Sequence, residues 1–327
     1  MRFLFVAVLA AVVGLTGAGW FWLDRPWAIS GAPVDLSIEP GESARDVALG
    51  VVQAGVPTNS TGLYWWFRLS GESRQIKAGS YEIGAGTTPR SLLQKLVRGD
   101  EALRSVTLVE GFTFKQIQEV LKRAEQLKPE AAALPVATLM EKLGKPGLAP
   151  EGRFFPDTYT YAKGSSDLAL LQRALRAMDK KLEAAWAQRA ANSPLKSPQE
   201  ALVLASIIEK ETGAAADRAH VGAVFNNRLR MGMRLQTDPT VIYGIGATFD
   251  GNLRKSDLLR DTPWNTYTRD GLPPTPIAMP GTASLLAAVQ PSSSKALYFV
   301  ARGDGSSQFS ATLDEHNRAV NKYQRGQ

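Results

Sequence analysis

The chain has 327 residues, 38 Lys and Arg against 31 Asp and Glu, and a formal net charge of +7. It contains no cysteine, and His220 and His316 are its 2 histidines; this excludes disulfides, thiolate nucleophiles and cysteine-zinc sites and makes carboxylates the best candidates for proton chemistry. The basic excess comes without long single-sign blocks, so solvated surface accounts for it, and the anionic partners it admits are nucleic acid, an anionic membrane surface or a cell-wall polymer.

After Met1 and Arg2, residues 3–23 ("FLFVAVLAAVVGLTGAGWFWL") run without a charge, about the length that crosses a bilayer core as a helix. Trp20, Trp22 and Trp27 gather at the far end, as interfacial aromatics do. Bulky Trp20, Phe21 and Trp22 follow the small residues 17–19, which argues against a cleaved signal peptide and for an uncleaved anchor over 1–24. With Arg2 held inside, the chain after Asp24 faces outward, so the expectation is a single-pass protein of the cytoplasmic (inner) membrane with an extracytoplasmic body.

A linker over 25–32 leads into 33–100. Val34, Leu36 and Ile38 alternate with polar residues as in a half-buried strand, and Pro40-Gly41 turns the chain. Ser43 opens a helix carrying Val47, Val51 and Val52, and Gly55 stops it. The aromatic "GLYWWFRLSG", a short strand and a helix from near Pro89 complete a strand-helix-helix-strand-helix module.

Residues 104–327 form a second, larger domain that opens with a strand, a Glu110-Gly111 turn and an amphipathic helix. Its 122–195 portion reads as mostly helical, interrupted by "GRFFPDTYTYAKG" over 152–164. Near the end, "ALYFVA" and "SQFSA" flank Gly303-Asp304-Gly305, a hairpin signal. Helices mixed with hairpins, without regular strand-helix alternation, predict an α+β fold.

The chemistry concentrates after residue 196. Ser197-Pro198-Gln199-Glu200 reads as a helix start, with Ser197 as N-cap, Pro198 at the first helical position and Glu200 completing a capping box. The helix should run to about Thr212. Every residue from Ala201 to Ile208 except Ser206 is apolar, which predicts burial on all sides. Glu209 and Glu211 then continue stripes that are apolar upstream. A carboxyl against apolar walls has a raised pKa and can serve as the general acid for a glycosidic bond. Glutamates are also common near helix ends, and periodicity does not choose between these two. Downstream, Asn226, Asn227, Gln236, Thr237, Asp238, Asn265, Thr266 and Tyr267 supply amide, hydroxyl and aromatic groups suited to a sugar.

The runs "LASIIEKET", "FNNRLRMGMRLQTDPTVIYG", "NTYTRDGLPPTPIAMPG" and the closing "LYFVARGDG" through "EHN" closely resemble the endolytic murein transglycosylase family, the YceG-like proteins. The resemblance covers the whole chain and is densest over 202–320. It implies an N-terminal transmembrane helix, a small LysM-like module over 33–100 and a mixed α+β catalytic domain over 104–327. It implies a lytic transglycosylase, a lyase that cleaves the bond between N-acetylmuramic acid (MurNAc) and N-acetylglucosamine (GlcNAc) in nascent strands, leaves 1,6-anhydro-MurNAc ends and limits strand length. The family's catalytic glutamate falls on Glu209. Glu211, Asn227, Gln236, Thr237, Asp238, Asn265, Thr266 and Tyr267 become substrate-binding or supporting residues. No metal or cofactor is implied; the partners are peptidoglycan strands, the cytoplasmic membrane and peptidoglycan synthases, and not nucleic acid.

Two alternatives stand beside this reading. One is a membrane-anchored scaffold that binds peptidoglycan without cutting it. The other is an extracytoplasmic Ser-His-Asp hydrolase, for which no G-x-S-x-G elbow is present.

Overall fold

A computed structural model describes residues 17–29 and 32–326. The fold is mixed α+β, with helices and three two-stranded sheets among the described residues. It divides into two compact units, Met1–Arg104 with Thr160–Ser165, and Ser105–Tyr159 with Ser166–Gln327.

The first unit contains β1 (Val34–Ile38), α1 (Ala44–Gln53), α2 (Ser60–Leu69), β2 (Gly79–Ile83) and α3 (Pro89–Arg98), the order that alternation and caps predict. β1 and β2 pair antiparallel, with Leu36 opposite Tyr81. Leu36 and Ile38 point inward with Tyr81 and Ile83, and meet Val47, Val51, Leu63, Phe67, Leu92 and Leu96 from the three helices in one core. Ser43 and Thr88 cap α1 and α3 through reciprocal capping boxes. Gly99 ends α3 in the left-handed conformation at φ 74°.

Of the expected membrane span, residues 3–16 lie outside the described part, and residues 17–24 are helical. No described helix is long and apolar enough to cross a membrane. In the segment expected to be a linker, Trp27 is buried in the core of the first unit, and its N–H donates to Thr87 O at 3.0 Å. Asp24 pairs with Arg90 at 2.7 Å, and the Arg90 guanidinium lies 4.8 Å from the Trp20 ring centroid. An indole that finds an apolar core docks there; the Pro and Gly around it disguised the segment as a spacer.

β3 (Leu103–Thr107) and β4 (Thr158–Ala162) pair with each other, and the division between the units falls within both. The 160–165 segment belongs with the first unit: Ser80 Oγ donates to Lys163 O at 2.9 Å, and Lys163 pairs with Asp35.

The second unit adds α4 (Phe114–Arg123), α5 (Val136–Lys142), α6 (Asp167–Ala187), α7 (Pro198–Glu211), α8 (Arg218–Arg230), α9 (Asp238–Ile245), α10 (Lys255–Leu259), α11 (Thr282–Val289), the hairpin β5 (Tyr298–Ala301) and β6 (Ser307–Ser310), and α12 (Leu313–Gln324). The 122–195 stretch is less helical than its pattern predicts. Pro129, Pro135, Pro146 and Pro150 break it, and the Asp167 carboxylate holds the first of these loops by accepting the N–H groups of Ala131 and Ala132. The hairpin forms where predicted, with Val300 opposite Gln308 and both Gly303 and Gly305 at positive φ.

α7 lies at the centre of this unit, packed by α6, α8 and α11. α8 and α11 approach at backbone distance at Gly222, where a methyl group would run into the Ala287 carbonyl. Asn226 fastens the crossing by donating to Gly222 O at 2.8 Å and Ala288 O at 3.1 Å. Gly222→Ala is therefore expected to lower stability by about 2 kcal/mol, the usual cost of overpacking a closed contact. Chemical denaturation of the variant measures this, and an unchanged midpoint would show that the helices can separate freely.

Candidate active site

α7 starts where its cap places it. Ser197 Oγ accepts the Glu200 N–H at 3.2 Å and Pro198 takes the first turn. The reciprocal half of the expected capping box does not form, because the Glu200 carboxylate accepts the Lys196 N–H instead, at 2.7 Å. All residues from Ala201 to Ile208 are buried. Ser206 is tolerated among them because its hydroxyl donates to Val203 O and accepts the Ile277 N–H, at 2.7 and 3.0 Å. Thr212 leaves the helix in an extended conformation.

Beyond Ile208 the two glutamates diverge, since residues two apart on a helix point about 200° from each other. The Glu209 side chain is 7% exposed and its Oε1 faces Arg218 Nη2 at 3.6 Å. Its Oε2 accepts the N–H of Gly281 at 2.9 Å. Gly281 is the N-cap of α11, so the carboxylate meets the positive end of that helix. A side chain at Gly281 would strike the carboxylate of Glu110. The Glu110 turn is pinned in turn: Gly111 N–H donates to Met279 O at 2.9 Å, and Met279 N–H to Phe112 O at 2.7 Å. Glu209 thus sits enclosed, but by polar groups from the Glu110 turn, α8 and α11. This corrects the expectation of apolar walls: periodicity reports only the faces of α7, and the polar partners arrive from elsewhere in the chain.

The polar residues singled out downstream gather on the Glu211 side. Thr237 Oγ1 donates to Glu211, and burial pushes the Glu211 carboxyl above its ordinary pKa. Tyr267 donates its hydroxyl to Asp238 Oδ1 at 2.6 Å. Thr266 Oγ1 accepts the Thr237 N–H at 3.1 Å and lies 2.9 Å from Thr240 Oγ1. Gln236 is exposed, with φ 46° in the left-handed region that non-glycine residues rarely adopt. Asn265 is engaged inside the protein: its Nδ2 donates to Leu258 O and Arg260 O at 3.0 and 2.7 Å, and its Oδ1 accepts the Tyr267 N–H at 2.8 Å. Asn227 donates to Ser294 O and Ala296 O, both at 2.9 Å, bracing the end of α8 against the chain before β5. Among the described residues no group of His, Asp and Glu is arranged to hold a metal.

Sequence reasoning passed over three charged groups. Glu110 reads only as a turn residue, and Arg218 carries no local signal. Glu151 sits one residue before the aromatic stretch at 152–164. It is 6% exposed, accepts the Phe114 N–H at 2.9 Å and the Tyr243 hydroxyl at 3.1 Å, and burial raises its pKa to about 7. A carboxylate next to a glycine within an aromatic loop was the available sign.

The model of the YceG-like family matches residues 36–322. The chain belongs to the YceG-like family. A protein of Bacillus subtilis (strain 168) named endolytic murein transglycosylase is 32% identical over 310 residues, spanning 89% of this chain and 84% of the relative. The protein of the same name from Streptococcus pneumoniae serotype 2 is 27% identical and matches 88% of this chain, which covers 58% of that longer relative. A crystal structure of a YceG-like protein from Listeria monocytogenes, 28% identical, superposes with a TM-score of 0.54 over 88% of this chain and 98% of that one. In this YceG-like chain the matched region includes every residue of both glutamate clusters.

Proposed function

We infer that the chain is an endolytic murein transglycosylase, a lyase that cleaves MurNAc-GlcNAc bonds within peptidoglycan strands. The observation that carries this reading is the likeness to a protein of that name across 89% of the chain. Glu209 is the catalytic acid and base. It protonates the glycosidic oxygen as the bond to the muramyl C1 breaks. As a carboxylate it then takes the proton of the muramyl C6 hydroxyl, whose oxygen closes on C1 to form the 1,6-anhydro ring. The nucleophile belongs to the substrate and no water is consumed, so one carboxyl replaces the usual pair. The Gly281 N–H, the start of α11 and Arg218 stabilise Glu209 in its charged half of the cycle.

Among the remaining site residues, the exposed Gln236 and Asp238 and the half-buried Tyr267 are those that face sugar. Thr237 and Thr266 orient Glu211, which supports the site, while Asn227 and Asn265 brace its walls. The 1–24 segment anchors the protein in the cytoplasmic membrane with the catalytic part outside, and the unit over 33–100 is a LysM-like module that holds glycan; its own core and closed order of elements support an independent module. Peptidoglycan synthases are the expected partners at the site of strand synthesis.

The test is product analysis. Full-length protein in detergent, incubated with uncrosslinked glycan strands, is expected to yield fragments ending in 1,6-anhydro-MurNAc by mass spectrometry. Reducing ends, one water heavier, would identify a hydrolase. Unchanged strands would leave a binding scaffold.

A further inference from the structure

Beside the end of α7 lies a cleft of about 800 Å³ that neither glutamate cluster fills. The volume falls within the range of small-molecule binding sites. Its lining includes three aromatic side chains. Tyr243 and Trp264 lie edge to face with ring centroids 5.5 Å apart, and Phe249 joins them in the lining. Both polar handles of that pair are fixed: Trp264 Nε1 donates to Thr275 Oγ1 at 2.9 Å, and the Tyr243 hydroxyl donates to Glu151 at 3.1 Å. Rings held at their edges offer a rigid face, the surface on which the apolar side of a pyranose stacks.

The lining also carries charge. Lys115, in the first turn of α4, and Lys210, between the two glutamates, both border the cleft and both are exposed. Among the described residues neither has a carboxylate within ion-pair distance. Glu151 is the acidic group in the lining, but its oxygens accept the Phe114 N–H and the Tyr243 hydroxyl, and it holds its proton up to about pH 7. The charge the cleft presents to a ligand is therefore positive. Aromatic rings lining the same cleft as two ammonium groups that no carboxylate pairs, with Lys210 Nζ held only by Gly111 O at 3.5 Å, suit a sugar ring bearing a carboxylate.

We propose that this cleft is a subsite for a muramyl residue, with the ring stacked on the Trp264 indole and a carboxylate met by Lys115 and Lys210. The proposal rests on the reading of the chain as a murein transglycosylase. The carboxylate has two sources, the free lactyl group of a strand without peptides or the carboxylates of the peptide stem.

Three ligands separate these sources: GlcNAc-MurNAc with a free lactyl group, the same disaccharide bearing a tetrapeptide, and neutral chitobiose. None contains the MurNAc-GlcNAc bond that the enzyme cuts. Calorimetric titration into the full-length protein is expected to show one or both acidic ligands binding about tenfold more tightly than chitobiose, and the tighter of the two names the source. The double variant Lys115→Gln/Lys210→Gln, changed only at exposed positions, is expected to lose that preference. Trp264→Leu should weaken all three ligands together, with its thermal melt reported alongside. Equal affinities for the three, or a preference that survives the double lysine change, would overturn the subsite. Parallel product analysis of the wild type keeps the two readings apart. Anhydro ends without carboxylate preference defeat the subsite alone, and preference without anhydro ends defeats the transglycosylase alone.

Discussion

Glu209→Gln is expected to reduce strand cleavage by roughly a thousandfold, within the span that removal of a general acid usually costs. Glutamine keeps an oxygen to accept the Gly281 N–H now seen at 2.9 Å, so the melting temperature should stay close to that of the wild type. Loss of the contact to Arg218, at 3.6 Å, has little weight in stability at that distance. Glu211→Gln is the paired measurement. That residue holds Thr237 on the opposite side of α7, and its replacement should weaken activity far less. If Glu211→Gln were the inactive variant and Glu209→Gln still released anhydro-ended fragments, the acid would have been assigned to the wrong face of the helix.

Glu151→Gln is expected to alter how stability depends on pH. Burial raises the Glu151 pKa from the ordinary 4.5 to about 7, so the folded protein binds this proton more tightly than the unfolded chain does. The stabilisation from the bound proton is complete below about pH 4.5 and is lost as the pH rises through about 7. Glutamine has no proton to lose, and it accepts from Phe114 N–H while its amide donates to the Tyr243 oxygen. Relative to the wild type, the variant should therefore gain stability between these limits, by about 3 kcal/mol at most. Melting curves of both proteins from pH 5 to pH 8 measure the gain. A constant difference across that range would show that Glu151 titrates normally.

The architecture of the first unit was legible because each of its elements carries its own signal. The Val34-Leu36-Ile38 alternation, Ser43 at a helix start and Pro89 in a first helical turn are local patterns with local causes. The burial of α7 was legible for the same reason, since eight residues with one hydroxyl leave no wet face. The immediate surroundings of Glu209 were not legible. Glu110, Arg218 and Gly281 lie 99, 9 and 72 positions away in the chain, and no periodicity connects them; they meet only because α7, α8 and α11 pack together. Asn265 shows the opposite limit. Its polarity marked it as a sugar contact, yet three backbone carbonyls and an amide occupy its side chain. Composition reveals hydrogen-bonding capacity but not whether the protein has already used it.

The chain passes from one unit to the other more than once, and this governs how the molecule can be dissected. A cut after Arg104 would look like a clean separation of the two parts. It would instead leave 160–165 behind on the second piece, deprived of the Ser80 hydroxyl and of the Asp35 carboxylate that Lys163 pairs with. The first piece would lose the same contacts, and β4 would lose Leu103 and Arg104 from its paired strand. A boundary for separate expression therefore has to keep 160–165 with the first unit, which a single cut in the chain does not do.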